Sequence, residues 1–207
     1  MKFFGKKTTG YTNKTGERLL LDAGVFFKNY DAATDTFESA VSAGKVLGAT
    51  RGGGEFKAAP KIRRLEIDGL PENSKDNIVI DNWEVTMGAT LLEVTPENLA
   101  LSLAAATQTD GPTGYYTIKG KGYVEETDYI ANVTFVGRLS GSNSPVIIQV
   151  FNAINTEGLT LTTQANNEGT IKLTLAGNYD AATDLDIPPF AIHYPKPATA
   201  PTGGGTE

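Results

Sequence analysis

Along most of the chain, apolar and polar residues alternate with a period of two, and Gly, Asn, Asp and Pro punctuate the runs. Arg63, Leu65 and Ile67 alternate with Arg64, Glu66 and Asp68 until Gly69 ends the segment. Ile78 to Ile80 opens a strand that carries Trp83, Val85 and Met87 on one side. Tyr115 to Lys119 follows a Gly111-Pro112 turn, and further strands are predicted over Asn132–Leu139, Pro145–Ile154, Gly158–Thr163 and Thr170–Leu175. In the last, Ile171, Leu173 and Leu175 share one face while Lys172 and Thr174 occupy the other. Val146 to Phe151 is apolar on both faces, as a central buried strand requires. The pattern is mainly β.

One helix stands out among the strands. Thr95 suits the N-cap, Pro96 the first helical position, and Glu97 complements the positive end of the helix. Leu99 and Leu103 lie one turn apart, and Ala104 to Ala106 keep helix propensity high through the last turn. Thr107 to Gly114 then reads as a loop. A lone helix must rest on a sheet face or edge to bury its leucines.

Other segments look unlike core. Residues 31–60 form a long stretch rich in Gly, Ala, Thr and Ser around Gly52-Gly53-Gly54, which predicts a long loop of the kind that is either functional or disordered. Met1 to Gly16 is a basic, polar arm, and residues 193–207 read as a Pro/Gly-rich flexible tail beyond a domain spanning residues 1–192. The heptapeptide Asn29-Tyr30-Asp31-Ala32-Ala33-Thr34-Asp35 returns as Asn178-Tyr179-Asp180-Ala181-Ala182-Thr183-Asp184 with unlike flanks. A duplicated unit would extend further, so the echo reads as one Asx-type turn used twice. The alternative is that both turns present similar edges to a neighbouring subunit.

Composition narrows the chemistry. The 207-residue chain has no cysteine and a single histidine, His193, which removes disulfides, thiolate sites, a Cys nucleophile and most His-based catalysis. No metal or other cofactor is expected. Ser140, Ser142 and Ser144 lie in a turn without a recognisable triad motif, and Gly52-Gly53-Gly54 lacks the Lys-Ser/Thr pair of a phosphate loop. Glu125, Glu126 and Asp128 read as a solvated acidic rim rather than a catalytic pair. Trp83, Tyr115, Tyr116 and Tyr123 would make a sugar-stacking face if exposed together, and core or edge residues otherwise. Net charge is −6, against general attraction to nucleic acid. No apolar run is long enough for a membrane span or a secretory leader, so synthesis in the cytoplasm is expected.

An ordered set of segments adds specificity. It comprises Asp22 to Tyr30, Gly48-Ala49-Thr50-Arg51-Gly52-Gly53, Arg64 to Gly69, and Leu92-Glu93-Val94-Thr95-Pro96-Glu97-Asn98-Leu99. It continues in Asp128 to Val133 with Phe135-Val136-Gly137, Pro145 to Ile148, Phe151-Asn152-Ala153 and Glu157-Gly158-Leu159. Gly177 to Asp180 and Pro188-Pro189-Phe190-Ala191-Ile192 complete it. Taken in order, the set resembles the major tail (tail tube) proteins of siphophages and related prophages. The resemblance implies a β-sandwich of two packed sheets flanked by one α-helix, with a long loop and terminal arms. It also implies hexameric rings stacked into a virion tube whose joined inner sheets form a barrel for DNA ejection. Tail-tip initiator, tape measure and terminator proteins would be its partners, DNA would pass without specific binding, and assembly would take place in the host cytoplasm. Within the long loop, Gly48, Arg51, Gly52, Gly53, Gly54, Glu55 and Phe56 are the expected subunit-interface residues. Glu66, Asp68, Glu125, Glu126 and Asp128 are the lumen candidates, because an acidic conduit repels phosphate. A contractile-tail or tailocin tube and a carbohydrate-binding sandwich are the alternative readings.

Overall fold

The computed structural model describes residues 10–182 and 185–196. The expected terminal arm up to Thr9, the tail from Pro197, and the last two residues of the second heptapeptide lie outside them. The chain is mainly β, folded as a sandwich. Among the described residues the ten strands are β1 (Leu20–Lys28), β2 (Thr50–Arg64), β3 (Ile78–Leu91), β4 (Ala106–Asp110), β5 (Tyr116–Gly120), β6 (Ile130–Leu139), β7 (Val146–Asn155), β8 (Thr160–Gln164), β9 (Asn167–Ala176) and β10 (Phe190–His193). Sheet A has the order β1-β6-β7-β10 and sheet B the order β2-β3-β9-β8, all antiparallel, with β4-β5 a separate hairpin.

Alternation decides which side of each strand enters the core. From β3, Val85, Met87, Ala89 and Leu91 point inward, and from β9 Ile171, Leu173 and Leu175 do the same. They meet Phe26, Val133, Val150 and Ala153 from sheet A. The two sheets are joined through β7. Asn152 adopts φ 47°, a left-handed step that bends the strand as a bulge does. Before the bend β7 pairs with β6 and β10, at Ala153 it still pairs with Ile130 of β6, and beyond that Ile154 and Asn155 pair with β9. The bend is clamped reciprocally: Asn152 Nδ2 donates to the Asn178 carbonyl (3.2 Å) and Asn178 Nδ2 donates to the Asn152 carbonyl (2.7 Å).

Strand β2 crosses sheet A. At Gly54 it lies so close to Phe26 of β1 that a Cβ would sit 2.2 Å from the ring, while Phe56 packs against Phe190 of β10 at 5.9 Å. Neighbouring residues of one strand therefore reach side chains of both outer strands of the facing sheet.

Two helices flank the sandwich where the sequence pattern predicts one. Helix α1 (Phe37–Ser42) is opened by a reciprocal Thr36/Ser39 capping box and seats Ala40 over Phe27 and Tyr30 on the outer face of sheet A. Helix α2 (Pro96–Ser102) is the expected one, with Asn98 N donating to Thr95 Oγ1 at 3.1 Å and Leu99 and Leu101 on the core. It stops earlier than the alanines imply, because Ala104 turns left-handed (φ 66°) and Ala106 already opens β4. Of the loop predicted over Thr107 to Gly114, the part through Asp110 is thus a strand and Gly111 to Gly114 form the turn.

The long loop over residues 31–60 is also corrected. Its first part is the Asx turn and α1, and from Thr50 it is the longest strand among the described residues. Glycine normally weakens a strand interior. Here Gly52 and Gly53 take φ 77° and 75° in an irregular stretch of the β2-β3 ladder, and Gly54 is required by Phe26. Conversely, the strand predicted through Asp68 ends at Arg64, where the ladder to β3 ends. The expected domain end at residue 192 falls inside β10, which continues through His193.

Candidate assembly interface

Sheet B ends in two unpaired edges. Among the described residues the backbone of β2 ladders only with β3, and that of β8 only with β9. Sheet A is better protected on the β1 side, where Lys28 N donates to the Lys45 carbonyl and Leu47 N to the Phe26 carbonyl. The β8 edge looks like a cut through an apolar layer. Leu161 is the cross-strand partner of the fully buried Ile171, so it points to the core side, yet it is 48% exposed because no strand lies beyond it. On the other edge Phe56 and Ala58 reach the same core only half-buried. With four antiparallel strands, β2 and β8 run in opposite directions. The β8 edge of one copy and the β2 edge of the next therefore have the polarity for an antiparallel ladder.

Beyond Pro60 and Trp83 the β2-β3 hairpin leaves the sandwich as a two-stranded arm with a tip from Leu65 to Asn77. Ile62 and Ile80 face each other across it, each about half exposed, and Leu65, Ile67, Leu70 and Ile78 are exposed as well. Arg63 pairs with Asp81 at 3.2 Å, and Arg64 Nη1 donates to the Glu72 carbonyl at 3.1 Å. A lone two-stranded ribbon is marginal in water, and this one and its tip leave six apolar side chains exposed.

The face of sheet B turned away from the core is polar. Register places Glu55, Lys57, Glu84, Thr86, Thr90, Lys172 and Thr174 on it, with Thr160, Thr162 and Thr170 at the β8 side. Gly52 to Gly54 and Gly88 hollow it into a trough of about 440 Å³. Its charges are largely compensated. Lys172 binds Glu157 at 3.2 Å and holds that carboxyl below its usual range. Glu168 is held low by its own backbone N–H first and by the Arg51 guanidinium second.

The interface residues expected from sequence divide in three. Gly54 and Phe56 serve the core. Arg51 is tied within the chain to Asn167 (2.9 Å) and Glu168, and Gly48, at φ 125°, sits against the Glu93 side chain. Gly52, Gly53 and Glu55 line the trough. The lumen candidates do not share one surface. Glu66 and Asp68 are in the arm tip, outside the ladder. Glu125, Glu126 and Asp128 form a 3-10 turn after β5. There Lys121 Nζ contacts Glu125 and Asp128 at 2.7 Å each, depressing the Asp128 carboxyl, and Glu125 N donates to Asp128 Oδ2 at 2.8 Å. Sequence reading passed over Lys57, Glu84, Thr86 and Thr90; the available signal for the last three was the alternation of β3, whose inward partners it had recognised, while Lys57 lies on the part of β2 that read as a loop.

Of the four aromatic residues considered for stacking, Trp83 packs against Phe190 at 5.4 Å, while Tyr115, Tyr116 and Tyr123 are exposed on and beside the β4-β5 hairpin. His193 contacts Gln149 Oε1 at 3.1 Å, and Gln149 Nε2 donates to the Tyr30 carbonyl at 2.9 Å. Ala33 N donates to Asp31 Oδ1 (2.8 Å) and Ala182 N to Asp180 Oδ1 (2.9 Å), so the repeated heptapeptide does build the same Asx turn twice. No known protein-family model matches the chain, and no curated protein sequence matches it significantly.

Proposed function

We propose that this protein is the structural subunit of a phage tail tube, forming hexameric rings that stack into a conduit for DNA ejection. The observation that carries the reading is sheet B itself: four strands, two open edges of opposite polarity, and a core-facing apolar residue left bare at the β8 rim. Such edges are an aggregation hazard in a monomer and a joint in a closed ring. The ordered segments of the sequence point the same way, and the bare arm supplies further contact surface.

Joined edge to edge, the sheets would present their polar faces to the lumen. Glu55 and Glu84 offset Lys57 and Lys172 there, Arg64 and Arg138 are not part of that face, and alternation along β2 carries Lys61 and Arg63 onto the same side in the arm, where Asp81 pairs with Arg63. Over the sandwich, duplex DNA then meets threonine hydroxyls and lysines offset by glutamates. The tube would be nucleated by a tail-tip initiator, measured by a tape protein, capped by a terminator, and built in the host cytoplasm into the virion. Its role is architectural, without catalysis.

Sedimentation velocity and negative-stain imaging of the purified protein test the reading. Hexameric rings or tubes are expected, slowly alone and faster with tail-initiation proteins; monomer under every condition rejects it. Anisotropy titration of assembled tubes with duplex DNA should show little binding. Tight binding that weakens steeply with salt would reject the conduit electrostatics alone.

A further inference from the structure

The two copies of the heptapeptide hang on one line across sheet A. Asn29 N donates to the Asn132 carbonyl at 2.8 Å and Asn178 N to the Phe151 carbonyl at 3.2 Å, and Asn132 and Phe151 are cross-strand partners in the β6-β7 ladder. Each copy then closes its Asx turn, so two like walls flank a shared floor. Cavities of about 610 and 230 Å³ lie against the two walls and share Ala131 and Phe151 of that floor. We infer that this groove receives the terminal arm that precedes Gly10, residues Met1 to Lys7, from another copy of the chain. The inference rests on the tube reading and names one contact within it.

Groove and arm carry the same layout in opposite charge. Asp31 stands in one wall and Asp180 in the other, with Phe151, Ile187 and Pro188 lining the space as apolar surface. Neither aspartate is ion-paired to another described residue, and the nearby Lys45 is taken by Asp35. In the arm, Lys2 and Lys6 flank Phe3-Phe4, and no acid is present. The spacing agrees as well. Asn29 and Asn178 are three inter-strand steps apart, ~14 Å. Lys2 and Lys6 are four residues apart, ~13 Å in an extended chain. An arm lying across the strands thus sets two phenylalanines on the floor and one lysine at each wall.

Position makes the donor a second copy. The groove lies at the Ala131 end of β6, and the described chain both begins and ends beside Leu139 at the other end. There Lys14, Glu17 and Arg18 line one cavity with Tyr194 and Lys196. Ala131 and Leu139 are eight residues apart on one strand, ~26 Å. Gly10 to Phe4 is six residues, at most ~22 Å when fully extended. The arm is therefore too short to run from that end to the groove of its own sheet. Copies set head to tail, as in stacked rings, bring the end that emits the arm to the end that carries the groove.

The chain has no cysteine, so disulfide trapping reads the contact directly. Single variants Phe4→Cys and Ala131→Cys, mixed, assembled and oxidised, should give a crosslinked dimer. The yield should exceed that of Phe4→Cys with Asn143→Cys, whose site lies at the end where the chain emerges, by about tenfold or more. The double variant Phe4→Cys/Ala131→Cys should give a ladder of multimers; a crosslinked monomer would mean that each arm fills its own groove, and overturns the inference. Asp31→Asn/Asp180→Asn keeps an acceptor for each Asx turn and removes the charge. In the Ala131→Cys background it should lower the crosslink to Phe4→Cys about threefold or more, and an unchanged yield overturns the match of charge. Tubes with no crosslink above the control overturn the inference and leave the tube reading standing. Persistent monomer overturns both.

Discussion

The β2-β3 hairpin is one continuous ladder with two environments. In its lower half, Gly54 to Pro60 opposite Trp83 to Ala89, one face is roofed by sheet A and Val85 and Met87 are almost fully buried. In its upper half, Lys61 to Arg64 opposite Ile78 to Asn82, the same kind of alternation leaves Ile62, Ile78 and Ile80 about half exposed. Hydrogen-bonded pairing is common to both halves. The difference is a second layer, and it separates residues that hold the monomer together from residues available to a neighbour.

Truncation on the two sides should therefore diverge most. Leu173→Ala, in the roofed layer, is expected to cost ~2–5 kcal/mol in urea unfolding. Ile80→Ala should change monomer stability by about 0.5 kcal/mol or less. Equal losses would show that the arm belongs to the core and would break the comparison.

Glycine substitutions sharpen it. Gly54→Ala forces a methyl to 2.2 Å from the Phe26 ring and 2.6 Å from the Gly88 carbonyl oxygen, and should cost ~1–3 kcal/mol. Gly69→Ala in the arm tip meets no atom within 4 Å, so only its φ of 81° resists, at ~1–2 kcal/mol. A cost for Gly69→Ala above that of Gly54→Ala would contradict the assignment of roofed and bare halves. At the bend of β7, Asn178→Ala deletes the donor to the Asn152 carbonyl and should cost ~1–2 kcal/mol, measured by thermal and urea unfolding together.

The body also carries a pH signature. Asp35, paired with Lys45, and Asp128, paired with Lys121, both have carboxyls held below the ordinary range, chiefly by those lysine hydrogen bonds. A depressed folded-state pKa contributes stability that is fully present above the unfolded value of about 4 and is lost as pH falls through the folded one. Urea midpoints should thus hold steady near neutrality and drop under acid, and Asp128→Asn should flatten the drop. An unchanged acid profile in Asp128→Asn would remove that pair from the account. The smallest effect on stability comes with the largest on assembly: Ile62→Asp/Ile80→Asp should leave the monomer within about 0.5 kcal/mol of the parent while abolishing rings in sedimentation.

Much of this was readable from residues. The inward sets of β3 and β9 followed from alternation, the α2 cap from Thr95-Pro96-Glu97, and the repeated Asx turns from their aspartates. Other features were hidden for identifiable reasons. Three consecutive glycines in β2 read as a loop, because the Phe26 ring that calls for Gly54 lies on a strand distant in sequence. Helix α1 has a Ser at the third capping position instead of Glu or Gln and only six residues, too few for a periodic signal. Strand β1 escaped notice because Asp22 and Gly24, both left-handed, interrupt its alternation.

The sequence by itself determined which side of each strand is apolar, since a period of two is a local property of the backbone. It also determined the helix cap, the repeated turn and the absence of thiol chemistry. Only the tertiary structure decided which strands are edges, where β7 leaves one sheet for the other, and which apolar side chains remain bare. An edge exists because no other segment comes to lie beside it, and that depends on the whole path of the chain. Leu161 and Ile171 have the same chemistry and face the same way; the one at the rim is half exposed because nothing follows it in the sheet.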